Sequence, residues 1–174
     1  MRTLIPAGLL VLTCALAQSA AAQAKSSGDP MAGTWSLNIA RSTFAGAPPK
    51  AQSYRYENLP DGSTLWVAAT IGATGNPGFS ISIRRYDGRD YPAYNVATMT
   101  PFLAADAKTN WTQASRMIDA GTTELLNKTD GVVTQRVTRT MAPDGKTFTL
   151  RSYNPAGELT GTSVYEKVEQ PPTR

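Results

Sequence analysis

The chain has no histidine and one cysteine, Cys14, and each scarcity removes chemistry. Without histidine there is no Ser-His or Cys-His nucleophile pair and no imidazole-bound metal. Cys14 sits in the leader, so a processed chain would have no thiolate ligand and no disulfide, leaving its core as the source of stability. Charge is thin at 17% of residues and scattered, and no segment sustains a helical period. No glycine-rich loop follows a strand and opens a helix in the way a phosphate cradle requires.

Met1–Ala24 has one early charge, Arg2, an apolar run from Leu4 to Ala17, and small residues ending Ala22-Gln23-Ala24. That is the layout of a secretory signal with cleavage after Ala24, and the chain is expected to be secreted or periplasmic. The run, broken by Pro6, is shorter than the ~20 residues of a membrane-spanning helix. Leu12-Thr13-Cys14 is a weak lipidation pattern, since Thr precedes the Cys. Loss of Arg2 leaves 16 basic against 13 acidic residues, a net charge of about +3. Basic residues so dispersed form a solvated surface, and nucleic acid is not an expected partner.

What the chain does have is alternation and turns, most clearly over Gly131–Tyr153, GVVTQRVTRTMAPDGKTFTLRSY. Val133, Val137 and Met141 share one face, with Thr134, Arg136, Thr138 and Thr140 on the other. Phe148 and Leu150 oppose Thr147, Thr149 and Arg151. Between the runs, Pro143-Asp144-Gly145 supplies a hairpin turn, expected to be of the primed type. Residues 25–30 form a short mobile lead, 31–168 the domain and 169–174 a tail.

Trp35, Leu37 and Ile39 mark a first strand, and Arg41–Lys50 a connection in which Pro48 and Pro49 stop any strand. Further strands are expected at Gln52–Asn58, Thr64–Ile71, Phe79–Tyr86, Arg89–Asn95, Ser115–Asp119, Thr122–Lys128 and Leu159–Val168. In the second of these Leu65, Val67, Ala69 and Ile71 oppose Trp66. In the third Phe79, Ile81, Ile83 and Arg85 share a face. Val96–Thr112 has no clear period and reads as a lid, a helical turn or a crossover. About ten short strands joined by tight turns predict an all-β fold, an antiparallel up-and-down barrel of 8–10 strands; a sandwich is the alternative.

The ends of the domain carry a resemblance. Gly33-Thr34-Trp35 resembles the G-x-W opening of lipocalins and of the related fatty-acid-binding proteins, and Val164-Tyr165-Glu166-Lys167 the close of the latter. The start Gly33–Asn38, the segment Tyr86–Pro92, the hairpin Asp144–Thr147 and this close together resemble secreted bacterial lipocalin-like proteins over most of Ala32–Val168. The resemblance implies a calycin-type barrel with Trp35 plugging one end. Fatty-acid-binding proteins carry an arginine two residues before the final tyrosine to hold the ligand carboxylate. Here that position is Ser163, and the lipocalin T-D-Y motif is also missing.

For catalysis only carboxylates remain. Asp61, Asp87, Asp130 and Asp144 all precede glycine in expected turns, and Glu57, Glu124, Glu158 and Glu166 show no pairing spacing. No metal site, calcium loop or cofactor motif is present. Binding has better material. Tyr54, Tyr56, Trp66 and Tyr165, with Tyr86 and Tyr94, offer apolar walls with polar tips, or they fill the core. Arg139 shares the face of Val137 and Met141, and Arg85 that of Ile81 and Ile83. If those faces point inward, each guanidinium needs an anionic or carbonyl partner; if not, both sit at rims in water. The expected function is binding of a small, mainly apolar ligand inside a barrel, without catalysis. The alternative is a filled barrel acting as a structural or protein-interaction module of the envelope. An enzyme with a carboxylate site is the remaining reading.

Overall fold

The computed structural model describes residues 28–95 and 110–169. Residues 1–27, most of Val96–Thr112 and the last five residues lie outside that range. Ten antiparallel strands close into one barrel. They are β1 (Gly33–Thr43), β2 (Ala51–Asn58), β3 (Thr64–Ile71), β4 (Pro77–Arg84), β5 (Asp87–Asn95), β6 (Trp111–Met117), β7 (Thr122–Thr129), β8 (Val132–Met141), β9 (Thr147–Tyr153) and β10 (Leu159–Lys167). Each pairs with its neighbours in sequence and β1 pairs with β10, so no edge is left open. No helix among the described residues is long and apolar enough to cross a membrane.

The expected all-β up-and-down barrel is the fold, with its strand count at the upper limit. The turns follow their sequences. Asp130 and Gly131 both adopt positive φ, 51° and 76°, the pair that a primed two-residue turn requires. The Asp144-Gly145 turn differs from expectation, because Gly145 alone is positive, at φ 64°. Pro143 presets position i+1 of the turn, which Gly145 N–H closes on Ala142 O at 3.0 Å.

β1 runs four residues beyond Ile39. Its register against β10 jumps between Asn38 and Thr43, so the strand bulges and curls. Ser42 Oγ secures the bulge, donating to Asn38 O at 2.6 Å and accepting from Val164 N–H at 3.0 Å. Gly161 lies opposite, where a Cβ would stand 3.0 Å from Thr43 O, so a larger residue would have to push the two backbones apart by a few tenths of an ångström.

One end of the barrel is packed shut. Trp35, Tyr56, Phe148 and Tyr165 form the core there with Met31, and Trp35 Nε1–H donates to Met31 O at 2.7 Å. Gly28, Asp29 and Pro30, which the sequence assigns to a polar lead, belong to this end, and Asp29 and Met31 are fully buried. The opposite end is bordered by the β1–β2 and β3–β4 loops, where Phe44, Pro49, Gly72 and Ala73 line an open groove of about 370 Å³.

The β3–β4 hairpin is turned opposite to a simple apolar-in rule. Thr64, Trp66, Ala68, Ser82 and Arg84 are buried. The pairs Leu65–Ile83, Val67–Ile81 and Ala69–Phe79 lie on the outer face, with Phe79 51% exposed.

Candidate functional site

The interior is aromatic and cationic. A column of rings rises through the barrel from Trp35. Phe148 meets Trp35 edge-on at 4.9 Å, Tyr165 stacks on Phe148 at 4.8 Å, and Tyr54 stacks on Tyr165 at 4.5 Å. Trp66 meets Tyr54 edge-on at 5.5 Å, and the Arg84 guanidinium lies over Trp66 with Cζ 4.2 Å from the ring centroid. The ring of Tyr56 is shared, with Arg84 Cζ at 5.6 Å and Arg139 Cζ at 4.9 Å. Desolvated cation–π contacts of this kind contribute about 2 kcal/mol each.

Beside the column is a cavity of about 200 Å³. Tyr54, Trp66, Leu125, Val137 and Leu150 form its apolar wall, and Arg84, Arg139, Gln113, Asn127 and Gln135 its polar one. The amides form a chain. Ser82 Oγ–H donates to Gln113 Oε1, Gln113 Nε2–H to Asn127 Oδ1, and Asn127 Nδ2–H to Gln135 Oε1, at 2.9, 2.9 and 2.7 Å. Cavity and outer groove share Tyr54, Leu150 and Ser152 in their linings, so the two abut at these side chains.

The arginines are unequal. Arg139 is 1% exposed; its Nη1–H donates to Asp29 Oδ2 at 3.0 Å and its Nη2–H to the Tyr86 hydroxyl at 3.0 Å. Tyr86 donates in turn to Asp29 Oδ2, and Met31 N–H donates to Asp29 Oδ1 at 2.8 Å. Burial alone would lower the Arg139 pKa, but the Asp29 carboxylate and the Tyr56 and Tyr86 hydroxyls raise it well above the usual value. Burial likewise works to raise Asp29, and is overcome by the Arg139 charge and the Tyr86 and Met31 hydrogen bonds, which hold the carboxyl below its ordinary value.

Arg84 feels the Asp29 charge but makes no hydrogen bond to this set. It is 3% exposed and makes no ion pair among the described residues, and its Nε and Nη1 have no hydrogen-bond acceptor. Burial and the repulsion of Arg139 both lower its pKa. Tyr56 Oη, Trp66 Nε1 and Arg139 Nε are also unsatisfied. Four side chains lining one cavity therefore leave polar atoms unmatched, where buried donors ordinarily find partners.

Of the residues expected at a site, Tyr54, Tyr56, Trp66, Tyr165 and Arg139 are brought together inside the barrel. Arg85 is not. It lies outside with its side chain about half exposed and pairs with Asp61 at 2.9 Å. The inward arginine of β4 is its neighbour Arg84, because a strand alternates and Ser80, Ser82 and Arg84 take the inner face. Tyr94 is also outside, 40% exposed. Arg84, Asp29 and the Gln113–Asn127–Gln135 chain were not expected at a site; the alternating Ser80-x-Ser82-x-Arg84 is the signal that would have found the first. The acids of the catalytic reading do not meet among the described residues. Buried Glu124 is engaged by Arg116 at 2.6 Å and Arg136 at 3.6 Å, and Asp29 by Arg139.

No protein-family model matches the chain, and no curated protein matches it in sequence. Solved structures share its fold. An alanine variant of the fluorescent protein UnaG superposes with a TM-score of 0.54 at 11% identity, covering 81% of this chain and 98% of the other. Wild-type UnaG gives 0.50 at 11% identity, with coverages of 79% and 96%. The tryptamine complex of the amine binding protein of Rhodnius prolixus gives 0.45 at 12% identity, with coverages of 82% and 66%.

Proposed function

We propose that the chain is an exported lipocalin-like protein that binds one small, mainly apolar molecule bearing an acidic group, with that group at the inner end of the cavity. The observation that carries the reading is the uneven count of buried charge, two guanidiniums at one cavity and a single carboxylate between them. A buried cation without a partner is costly, and an anion entering from the open end would remove that cost. The aromatic wall supports an apolar body for the ligand, and the shared wall of Tyr54, Leu150 and Ser152 supports the route of entry. Export rests on the leader pattern of Met1–Ala24.

The filled-barrel alternative draws on the packed end, where Trp35, Phe148 and Tyr165 leave no room. Native mass spectrometry of the protein purified from its own source, with solvent extraction of whatever travels with it, separates the two. A stoichiometric small acid is expected. A protein that arrives empty and takes up no apolar fluorescent acid from a panel overturns the binding reading and leaves the filled barrel.

A further inference from the structure

The charges of the cavity are divided rather than pooled. Both carboxylate oxygens of Asp29 are spent inside the protein, Oδ2 on Arg139 and Tyr86 and Oδ1 on Met31 N–H. The residue is also held from behind, its own N–H donating to Asn58 Oδ1 at 2.8 Å. Asp29 therefore behaves as a built-in anion seated on Arg139. Arg84 has no such occupant among the described residues. Its guanidinium lies over Trp66, and its free donors share the cavity with the Tyr56 hydroxyl and the Trp66 N–H. An ionised carboxylate accepts only, through two oxygens with about four lone-pair sites, and suits a set made largely of donors.

The count also sets the ligand's charge. Among the described residues, two guanidiniums and one carboxylate leave a single positive charge to be matched. A monoanion cancels it, whereas a dianion such as a phosphate monoester or dicarboxylate would bring an unpaired negative charge into the barrel or compete with Asp29. Size limits the body. An apolar protein cavity of ~150 Å³ holds one benzene, and drug-sized ligands take ~300 Å³ or more. At about 200 Å³ this cavity fits a single or fused pair of rings.

Resting on the binding reading above, we infer that Arg84 is the residue that recognises ligand charge, that Asp29 is a resident counter-anion keeping Arg139 out of ligand binding, and that the ligand class is a compact aromatic monocarboxylate.

The test is calorimetric titration of the full chain with naphthoate, naphthamide, a naphthalene dicarboxylate and dodecanoate. Naphthoate is expected to bind at one equivalent, and the amide and the dicarboxylate to bind weaker by on the order of tenfold or more. Arg84→Gln should weaken naphthoate by on the order of tenfold to a hundredfold while leaving naphthamide unchanged. Asp29→Asn, which frees Arg139, should raise affinity for the dicarboxylate relative to naphthoate. An Arg84→Gln protein with wild-type naphthoate affinity overturns the inference. So does an Asp29→Asn protein with an unchanged preference. Should Asp29→Asn fail to fold, the wild-type ranking decides, and a dicarboxylate bound as tightly as naphthoate overturns it. Binding of dodecanoate but not naphthoate removes the compact aromatic class and keeps the small-acid reading; binding of no acid removes that reading as well.

Discussion

Arg139 Nη1–H donates to Asp29 Oδ2 at 3.0 Å across 110 residues of chain, and both side chains are shut away from water. The pair fastens the residues ahead of β1 to β8, three strands away around the barrel. Removing one partner of a buried pair strands the other charge, at a cost of about 3–5 kcal/mol. Asp29→Ala and Arg139→Met should each lower the unfolding free energy from urea titration by that order. The double replacement Asp29→Leu with Arg139→Met should cost much less than their sum, since neither charge is left. Additive losses would show that the two residues do not act as a pair.

Acid stability follows from the same contact. The Asp29 carboxyl is held below its ordinary value of 3.8, so the folded state binds fewer protons than the unfolded chain as the pH falls. The contribution is therefore complete above about pH 4 and is lost as the pH falls through the folded value. With no histidine in the chain, no side chain of ordinary pKa titrates between about pH 5 and 8. The denaturation midpoint should be flat over that window and drop below about pH 4, and Asp29→Asn should drop less steeply. A midpoint that declines steadily from neutrality would contradict this account.

The tyrosines govern the alkaline side. Burial, above all, pushes Tyr54 and Tyr86 up to about 12 and Tyr165 higher still. A folded pKa raised above the ordinary 10.0 gives stability that is complete below that value and is lost as the pH rises through the folded one. Tyrosinate absorbance in the native protein should stay short of the full seven residues until the barrel unfolds, the remainder ionising with loss of near-ultraviolet circular dichroism. Complete ionisation near pH 10 with the signal intact would place these hydroxyls in water.

Most of the barrel can be read from the chain because turns and alternation are local. Asp130-Gly131 makes the turn its residues allow, and Val137, Arg139, Phe148 and Leu150 point where their period puts them. The site is harder for two physical reasons. Alternation gives two faces but does not name the inner one, and in β4 the apolar face, Phe79, Ile81 and Ile83, is the outer one. The inner face carries Ser80, Ser82 and Arg84 instead. Asp29 carries no local signal at all. It sits in a short polar stretch whose burial is decided by an arginine 110 residues away.

That reversal can be tested at adjacent positions. Arg85 pairs with Asp61 at 2.9 Å while both side chains stay about half exposed, and exposed pairs of this kind contribute about 0–1 kcal/mol. Arg85→Ala should therefore shift the urea midpoint little and leave acid binding unchanged, although its chemistry is the same as that of an Arg84 replacement. Arg84→Ala removes the guanidinium from over Trp66 and opens space beside Tyr56, so it should abolish selectivity for the charged ligand and perturb the indole fluorescence. Measured side by side, a loss of binding at Arg85 with none at Arg84 would mean that β4 is held one residue out of this register. Every inward residue of the strand would then exchange with an outward one.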